Sequence, residues 1–538
     1  MRHNFTTLTL LALTVITFTA CLDEDPRDRI SEEEAFDNPT SLYLNTVANL
    51  YSYIGGNADS QGLQGTARGV YDLNTFSTDE AIIPTRGGDW YDGGLWQALF
   101  LHDFANVGPV DDTWNYLYKV IVKCNQALNR LNEYGYLLTD DQQAALTAEV
   151  RTIRAMYYCY LLDLFGSVPY VRTATTQLSS AEQVSRSTLF NNIWSELTNA
   201  LPLLSEERSN AEGDYYGRMT KSVAYFILAK MSLNAEIWTD DDWTDDDRPD
   251  GRDIILVCEE EPLNAWEACM YWCDQITSRG YKLEEDYTAN FAVYNEASKE
   301  NIFTIPMDKN LYPNIFKNLF RSRHYNHGGA LGMAAENGPS ATISAVSTYG
   351  YGTEEVDPRF YYNLFSDTVY VDGKVVRLDT GEPLVYHPLI MEIDLTGLPY
   401  EDTAGARMKK YEIDRTAYSD GLLQNNDIVL FRYADVLLMK SEAKVRNGEN
   451  GDLELNRVRQ RVGMGFRKAT LDNILFERLM ELHWEGWRRQ DLIRFDRYHR
   501  AYDFRPQRTD ETDRHTIVFP IPPGAIDLNG KLKQNPGY

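Results

Sequence analysis

Two apolar stripes at helical spacing, separated by only a few residues, constrain this chain more than any other feature. From Trp114 the apolar positions fall at Leu117, Tyr118, Ile121, Leu128 and Leu131, the three-and-four spacing of one buried helix face. Asp111 or Asp112 is placed to cap it. Thr139 and Gln142 then form a capping-box pattern. Val150, Ile153, Tyr157, Tyr160, Leu161 and Leu164 carry a second stripe until Gly166 and Pro169 stop it. A third helix is predicted from near Thr220, carrying Val223, Ile227, Leu228, Met231 and Leu233; a fourth covers residues 431–446 and ends at Gly448; a fifth runs over 472–495. Helix pairs joined by short turns predict stacked hairpins of the solenoid kind, although the repeats share no fixed period.

The stretches between these helices differ in character. Residues 61–110 are rich in Gly, Asp and aromatics, with Gly87-Gly88-Asp89-Trp90-Tyr91-Asp92-Gly93-Gly94-Leu95-Trp96 at their centre, and residues 309–430 mix strand-like runs with turns. Segments of that length in a packed protein are functional or disordered, and the aromatic content argues against disorder. The expected fold is therefore mostly α, stacked helical hairpins joined by long ordered loops or small β elements in which the site should lie.

At the N-terminus, Arg2 and His3 precede an apolar stretch over residues 8–20. It is shorter than the roughly 20 residues of a membrane span and suits a signal peptide. Phe18-Thr19-Ala20-Cys21 follows and resembles the lipobox at which bacterial lipoprotein precursors are cut and acylated. Cys21 is then the lipidated first mature residue, and acyl chains at about 0.8 kcal/mol per buried CH2 would anchor it. Fifty-two basic against eighty acidic residues give a net charge of −28, which repels phosphate backbones and argues against nucleic-acid binding. Cys124, Cys159, Cys258, Cys269 and Cys273 are an odd, sparse set rather than a disulfide framework. Cys269 and Cys273 lie one helical turn apart in an apolar segment without histidine, so core packing is expected and no metal.

Catalytic signatures are lacking in the sequence: there is no Gly-x-Ser-x-Gly elbow, His-Glu-x-x-His pair, Walker loop or dinucleotide fingerprint. Glu477, Glu481 and Glu485 recur near Arg478, Arg488 and Arg489, and although paired carboxylates serve glycosidases, charges in line along one helix more commonly bridge to neighbouring helices. The acidic run over residues 240–247 departs from a calcium-loop pattern, with Pro249 and Asp250 falling at positions that need a ligand and a glycine, and reads as a solvated loop. Neither an enzyme nor a cofactor is expected.

Further segments, in order along the chain, carry a resemblance. They are Cys21-Leu22-Asp23-Glu24-Asp25-Pro26, Cys124-Asn125-Gln126-Ala127-Leu128, Arg154-Ala155 leading into Leu164-Phe165-Gly166-Ser167-Val168-Pro169, and Thr220-Lys221-Ser222-Val223-Ala224. Arg432-Tyr433-Ala434-Asp435-Val436-Leu437-Leu438-Met439 follows, then Leu455-Asn456 with Val458-Arg459, Glu477-Arg478 with Glu485-Gly486, and Gln534-Asn535-Pro536-Gly537-Tyr538. Together they resemble the SusD/RagB family of outer-membrane lipoproteins over nearly the whole chain. The resemblance implies a tetratricopeptide-like helical hairpin scaffold with a loop-rich ligand-binding face, in a cell-surface protein, anchored to the outer membrane by lipid, that captures an oligo- or polysaccharide and delivers it to a SusC-like TonB-dependent transporter. The alternatives are the same scaffold carrying peptide or another nutrient and, less favoured, a glycosidase. The implied organisation is a signal peptide over 1–20, a helical region with binding loops over 21–235, a connecting acidic and helical segment over 236–300, and a C-terminal region over 301–538.

Physics assigns structural roles to much of what carries the resemblance. Arg432, Asp435, Glu477, Arg478, Glu485 and Asp491 sit on strongly apolar helices, where charges must pair to offset desolvation of several kcal/mol per ion. Phe519-Pro520-Ile521-Pro522 and Asn535-Pro536-Gly537-Tyr538 cannot continue helices and are expected as extended segments against the scaffold.

For the ligand face, Thr78-Asp79-Glu80 and Pro84-Thr85-Arg86-Gly87-Gly88-Asp89-Trp90-Tyr91 stand out. Sugars present C–H faces that suit aromatic platforms and hydroxyls that suit Arg forks and carboxylates. Asp79 joins this set as a carboxylate, and the resemblance points to Arg86, Asp89 and Trp90 in an aromatic arc, with Trp96 beside them. The competing role for Trp90 and Trp96 is to plug the loop onto the scaffold. The arc's other arm is expected after Asn301-Ile302-Phe303, where Phe316, Phe320, His324 and Tyr325 offer rings; Phe320 and Tyr325 complete the candidate set. Where the starch-binding pattern has Asn-Gly-Trp, this chain has Asn337-Gly338-Pro339, which makes starch an unsafe guess.

Overall fold

The computed structural model describes residues 35–538. Cys21 and the signal segment 1–20 lie outside the described residues. The scaffold is a succession of packed helices: α1 (Gly108–Glu133), α2 (Asp140–Phe165), α3 (Arg186–Ala200), α4 (Lys221–Leu233), α5 (Ala265–Ser278), α6 (Tyr433–Arg446), α7 (Asp452–Arg461), α8 (Leu471–Leu482) and α9 (Arg488–Arg494). Each of α1 to α5 packs on the next, α5 packs on α6, and α6 carries α7 and α8. The stacked hairpins expected from the apolar stripes are thus present.

Local chemistry sets the boundaries. The capping box at α2 forms as expected, with the Gln142 amide donating to Thr139 Oγ1 at 3.3 Å and the Thr139 amide donating to Gln142 Oε1 at 3.0 Å. Gly166 closes this helix at φ 70°, a conformation that favours glycine. At α1 the cap is Val107, and Asp111 sits in the first turn, where its charge complements the helix dipole. The fourth predicted helix starts two residues late. Ile428–Arg432 forms strand β4 instead, antiparallel to β2 (Asn301–Ile305), because an Ile-Val-Leu-Phe run buried on both faces suits a strand.

The predicted fifth helix is two helices. Between α8 and α9 the chain breaks at Trp484, φ 67°, and Gly486, φ 74°. The break turns Glu485 into the core, where Arg432 meets it through two hydrogen bonds of 2.8 Å and Lys410 pairs with it at 2.5 Å. Satisfying buried charge outweighs continuing the helix here.

The charged residues lock the helices together, as their apolar surroundings require. Arg432 also pairs with Glu300 at 2.8 Å and Glu481 at 2.5 Å. Arg478 joins Asp435 and Asp491 at 2.8 Å each, and Arg459 reaches Glu477 at 2.7 Å. Glu477, Glu481 and Glu485 are therefore engaged in ion pairs and buried. The C-terminal segments tuck against α2: the Phe519 amide donates to Leu164 O at 2.7 Å, and Asn535 Nδ2 donates to Phe165 O at 3.0 Å.

Cys269 and Cys273 are fully buried on α5. The acidic run is exposed over most of its length but pinned at two points, where Trp243 is buried beneath Arg186 at 4.9 Å and Asp241 accepts from Ser187. One apolar core runs from Leu42 to Leu532. Over it, residues 309–430 form short helices and two-residue strands. Among these, β3 (Ser340–Ala341) pairs with β1 (Ala81–Ile82) and joins the two loop regions flagged in the sequence.

Candidate functional site

The loop after β1 is anchored before it reaches the surface. The Thr85 amide donates to Ile393 O at 3.0 Å, and the Leu395 amide to Thr85 O at 2.9 Å. Arg86 and Asp89 then exchange backbone hydrogen bonds of 2.9 Å across Gly87-Gly88. Gly87 has φ 59°, and a β-carbon there would meet the Glu401 carboxylate at 2.4 Å, so the turn needs a glycine. Gly88, Asp89, Tyr91 and Asp92 are exposed and Trp90 is half-buried.

Trp90 is held at φ 62°, a left-handed backbone that is costly for a bulky residue. Its indole Nε1 donates to Glu336 O at 2.7 Å, and its ring covers Gly338. Across from it the Tyr325 hydroxyl donates to Asp89 Oδ2 at 2.5 Å. Partial burial and the Asp89 carboxylate both raise the Tyr325 phenol, so it stays a donor. Asp89 and Tyr325 thus meet at the surface, with the half-buried Trp90 next to Asp89 and the exposed Tyr91 beyond it.

The remaining candidates are supports, which corrects the sequence reading. Asp79 is 1% exposed and is gripped by Arg488 at 2.6 and 2.9 Å and by Arg500 at 2.5 Å. Burial alone raises its carboxyl, but the two guanidiniums outweigh this and hold it below the usual range. Arg86 is 2% exposed and donates to Glu401 O at 2.6 Å, Ser340 Oγ at 2.9 Å and Ala404 O at 2.9 Å. Trp96 is 1% exposed, donates to Asp92 Oδ2 at 2.7 Å and lies 6.0 Å from Trp90. Phe320 is buried in the short helix that Arg321 pins to Asp72, and Phe316 and His324 are buried too. The physical reason is common to all: a loop this long must bury its own aromatics and guanidiniums to be rigid. The carbonyl of Glu336 leaves no signal in the sequence, and Tyr91 is marked only by its place in the flagged glycine-rich turn.

Elsewhere, His102, His499 and Glu511 approach one another within metal-ligand reach. However, Arg505 Nη2 stands 2.7 Å from His102 Nδ1 and pairs with Glu511, while His102 Nε2 contacts Ser77 O at 2.8 Å. Burial lowers His102 to about 4. The imidazole is neutral, and the guanidinium fills the role a cation would take.

A helical scaffold overlaid by long anchored loops, with Asp89, Tyr91 and Tyr325 at their surface, defines the class. Two family models match, one described as the SusD family over residues 352–538 and one described as "Starch-binding associating with outer membrane" over residues 83–233. Over these two stretches the chain matches the SusD/RagB family. It is 24% identical over 450 residues to the starch-binding protein SusD of Bacteroides thetaiotaomicron, covering 76% of each chain. It is 23% identical to SusD-like protein P25 of Formosa agariphila, covering 96% of each. Among solved structures, a SusD-like protein from Bacteroides fragilis superposes with a TM-score of 0.70 at 19% identity, covering 95% of this chain and 99% of that one. Surface glycan-binding protein A from Bacteroides thetaiotaomicron, solved with laminarihexaose, gives 0.67 at 20% identity, covering 93% and 100%. These structures share its fold.

Proposed function

We propose that this chain is a cell-surface lipoprotein of the outer membrane that captures a glycan without transforming it and delivers it to a SusC-like TonB-dependent transporter. The observation that carries the reading is the grouping of the half-buried Trp90 with the exposed Asp89 and Tyr325, fixed on an anchored loop by hydrogen bonds of 2.7 and 2.5 Å. Ring faces beside a carboxylate and a phenol supply stacking and hydroxyl pairing, and a face ordered in advance spares the entropy of ordering on binding. The names of relatives that bind starch or laminarihexaose support the ligand class. Cys21 supplies the anchor, and no helix among the described residues is long and apolar enough to cross a membrane.

Native affinity gels cast with a panel of polysaccharides test the reading. The full chain is expected to be retarded by at least one glycan, and Trp90→Ala together with Tyr325→Ala is expected to remove the retardation while far-UV circular dichroism stays unchanged. Retention that survives both substitutions sinks the assignment of this face. Sugar release by the purified protein, lost in a carboxylate variant, sinks the non-enzymatic reading.

A further inference from the structure

A cavity whose lining includes none of the residues of the Trp90 face opens between the loop 208–216, residues 296–298 and the segment 307–312, with a volume of about 720 Å³. That is within the roughly 300–1,000 Å³ of small-molecule sites. Tyr216 and Tyr312 place rings on it, and Asn210, Glu296 and Asp308 place polar groups there. Tyr312 is 42% exposed.

Both walls are held in place by the protein itself. The Tyr216 hydroxyl donates to Asp427, which also accepts from Thr304 Oγ1 at 3.1 Å and the Met307 amide at 2.8 Å. One buried carboxylate therefore ties the 208–216 loop to the start of the opposite wall. Gly217 presses so closely on Pro306 that a β-carbon would come within 2.2 Å of its ring. On the other wall, Asp308 Oδ1 accepts from the amides of Asn310 at 2.8 Å and Leu311 at 3.2 Å, a side-chain turn that sets the position of Tyr312. Asn210 Nδ2 closes the floor by donating to Ser298 O.

The charge of the lining selects the ligand. Glu212, Glu296 and Asp308 face a single Arg208, whose guanidinium lies 4.2 Å from the Tyr281 ring and donates to Lys299 O at 3.1 Å. Surplus negative charge repels sulfated or uronic sugars, whereas carboxylates accept hydrogen bonds from neutral hydroxyls and tyrosine rings cover C–H faces. We propose that this cavity is a second glycan-binding site, specific for neutral sugar units, so that one chain holds a polysaccharide at two places. The proposal rests on reading the protein as a glycan binder. It adds a site that gains retention by effective concentration rather than by tighter single contacts.

The test is a calorimetric titration of the full chain with maltohexaose and laminarihexaose, repeated on Tyr312→Ala and on Trp90→Ala, with circular dichroism as a folding control. The expected result is two sites per chain in the parent and one in each variant. Retention of the parent polysaccharide in affinity gels should fall about five- to ten-fold for Tyr312→Ala and vanish when both substitutions are combined. Glu296→Gln, which keeps the shape, should weaken the second site in the same direction. A stoichiometry of one that survives Tyr312→Ala and disappears with Trp90→Ala overturns the second site and leaves the first reading standing. The reverse pattern overturns the Trp90 face and keeps the cavity. Binding of neither sugar by the parent overturns both.

Discussion

The indole of Trp90 lies so close over Gly338 that a β-carbon on the glycine would come within 2.5 Å of the ring. The candidate face is therefore shaped from two sides, by the loop that carries Trp90 and by the segment beneath it. Where the starch-binding pattern has Asn-Gly-Trp, this chain has Asn337-Gly338-Pro339, and the glycine is the seat for Trp90. Gly338→Ala is expected to push the ring off its seat and break the 2.7 Å bond from Trp90 Nε1 to Glu336 O. Overpacking of this kind costs about 1–3 kcal/mol, so a fall in melting temperature should accompany a loss of glycan retention of about ten-fold or more. Retention at the parent level after Gly338→Ala would remove Trp90 from the binding face.

Tyr325→Phe separates ring stacking from ring positioning. The substitution keeps the aromatic face and removes the hydroxyl that donates to Asp89 at 2.5 Å. Tyr325 is 45% exposed, so stability should change by less than about 0.5 kcal/mol. Glycan affinity should fall by a few-fold, because Asp89 is no longer held and must be ordered on binding. Equal affinity for the two proteins, measured by titration, would mean that the hydroxyl has no part in presenting Asp89.

The helices were legible because their signal is periodic and local: the capping box Thr139–Gln142 and the stripe to Leu164 needed no information from elsewhere in the chain. The break at Trp484 was not legible, because its cause is the distant Arg432, which draws Glu485 inward. The candidate site divided along the same line. Gly87, Asp89 and Trp90 are unusual together and mark the loop as a candidate, but which side chains face water depends on partners far away in sequence. Asp79 is claimed by Arg488 and Arg500, and Arg86 by Glu401 and Ala404. Residue type alone does not separate a ligand-binding guanidinium from one that satisfies buried carbonyls.

The buried charge network around Arg432 predicts an asymmetric response to mutation. Arg432 is flanked by Glu300, Glu481 and Glu485, so Arg432→Met leaves buried carboxylates short of a counter-charge and is expected to cost about 3–5 kcal/mol. Adding Glu485→Gln removes one of those charges and should restore part of the loss. Urea unfolding of the two single variants and the double variant measures the coupling. Additive effects would mean that the two residues do not act as a pair.

Glu80 gives the fold a pH dependence opposite in sign to that of its neighbour Asp79. Asp79 is held down by guanidiniums, but Glu80 is buried with the Trp484 amide, which donates to Oε1 at 2.9 Å, as its close partner. Burial raises its carboxyl to about 8, against the lowering effects of that amide, Arg488 and Lys410. A carboxyl that ionises near 4.5 in the unfolded chain and near 8 in the folded one binds more protons when folded throughout that interval. Its contribution to stability is therefore complete below the lower value and is lost progressively as pH rises to the upper one. Glu80→Gln keeps the size and neutrality of the protonated form and cannot ionise. The stability of the variant minus that of the parent should grow between pH 5 and pH 8, by at least about 1 kcal/mol, and level off above. Urea unfolding at several pH values reads this difference directly. A difference that stays flat with pH would mean that Glu80 ionises normally in the folded chain, and one that shrinks would mean that the nearby Arg488 and Lys410 dominate over burial.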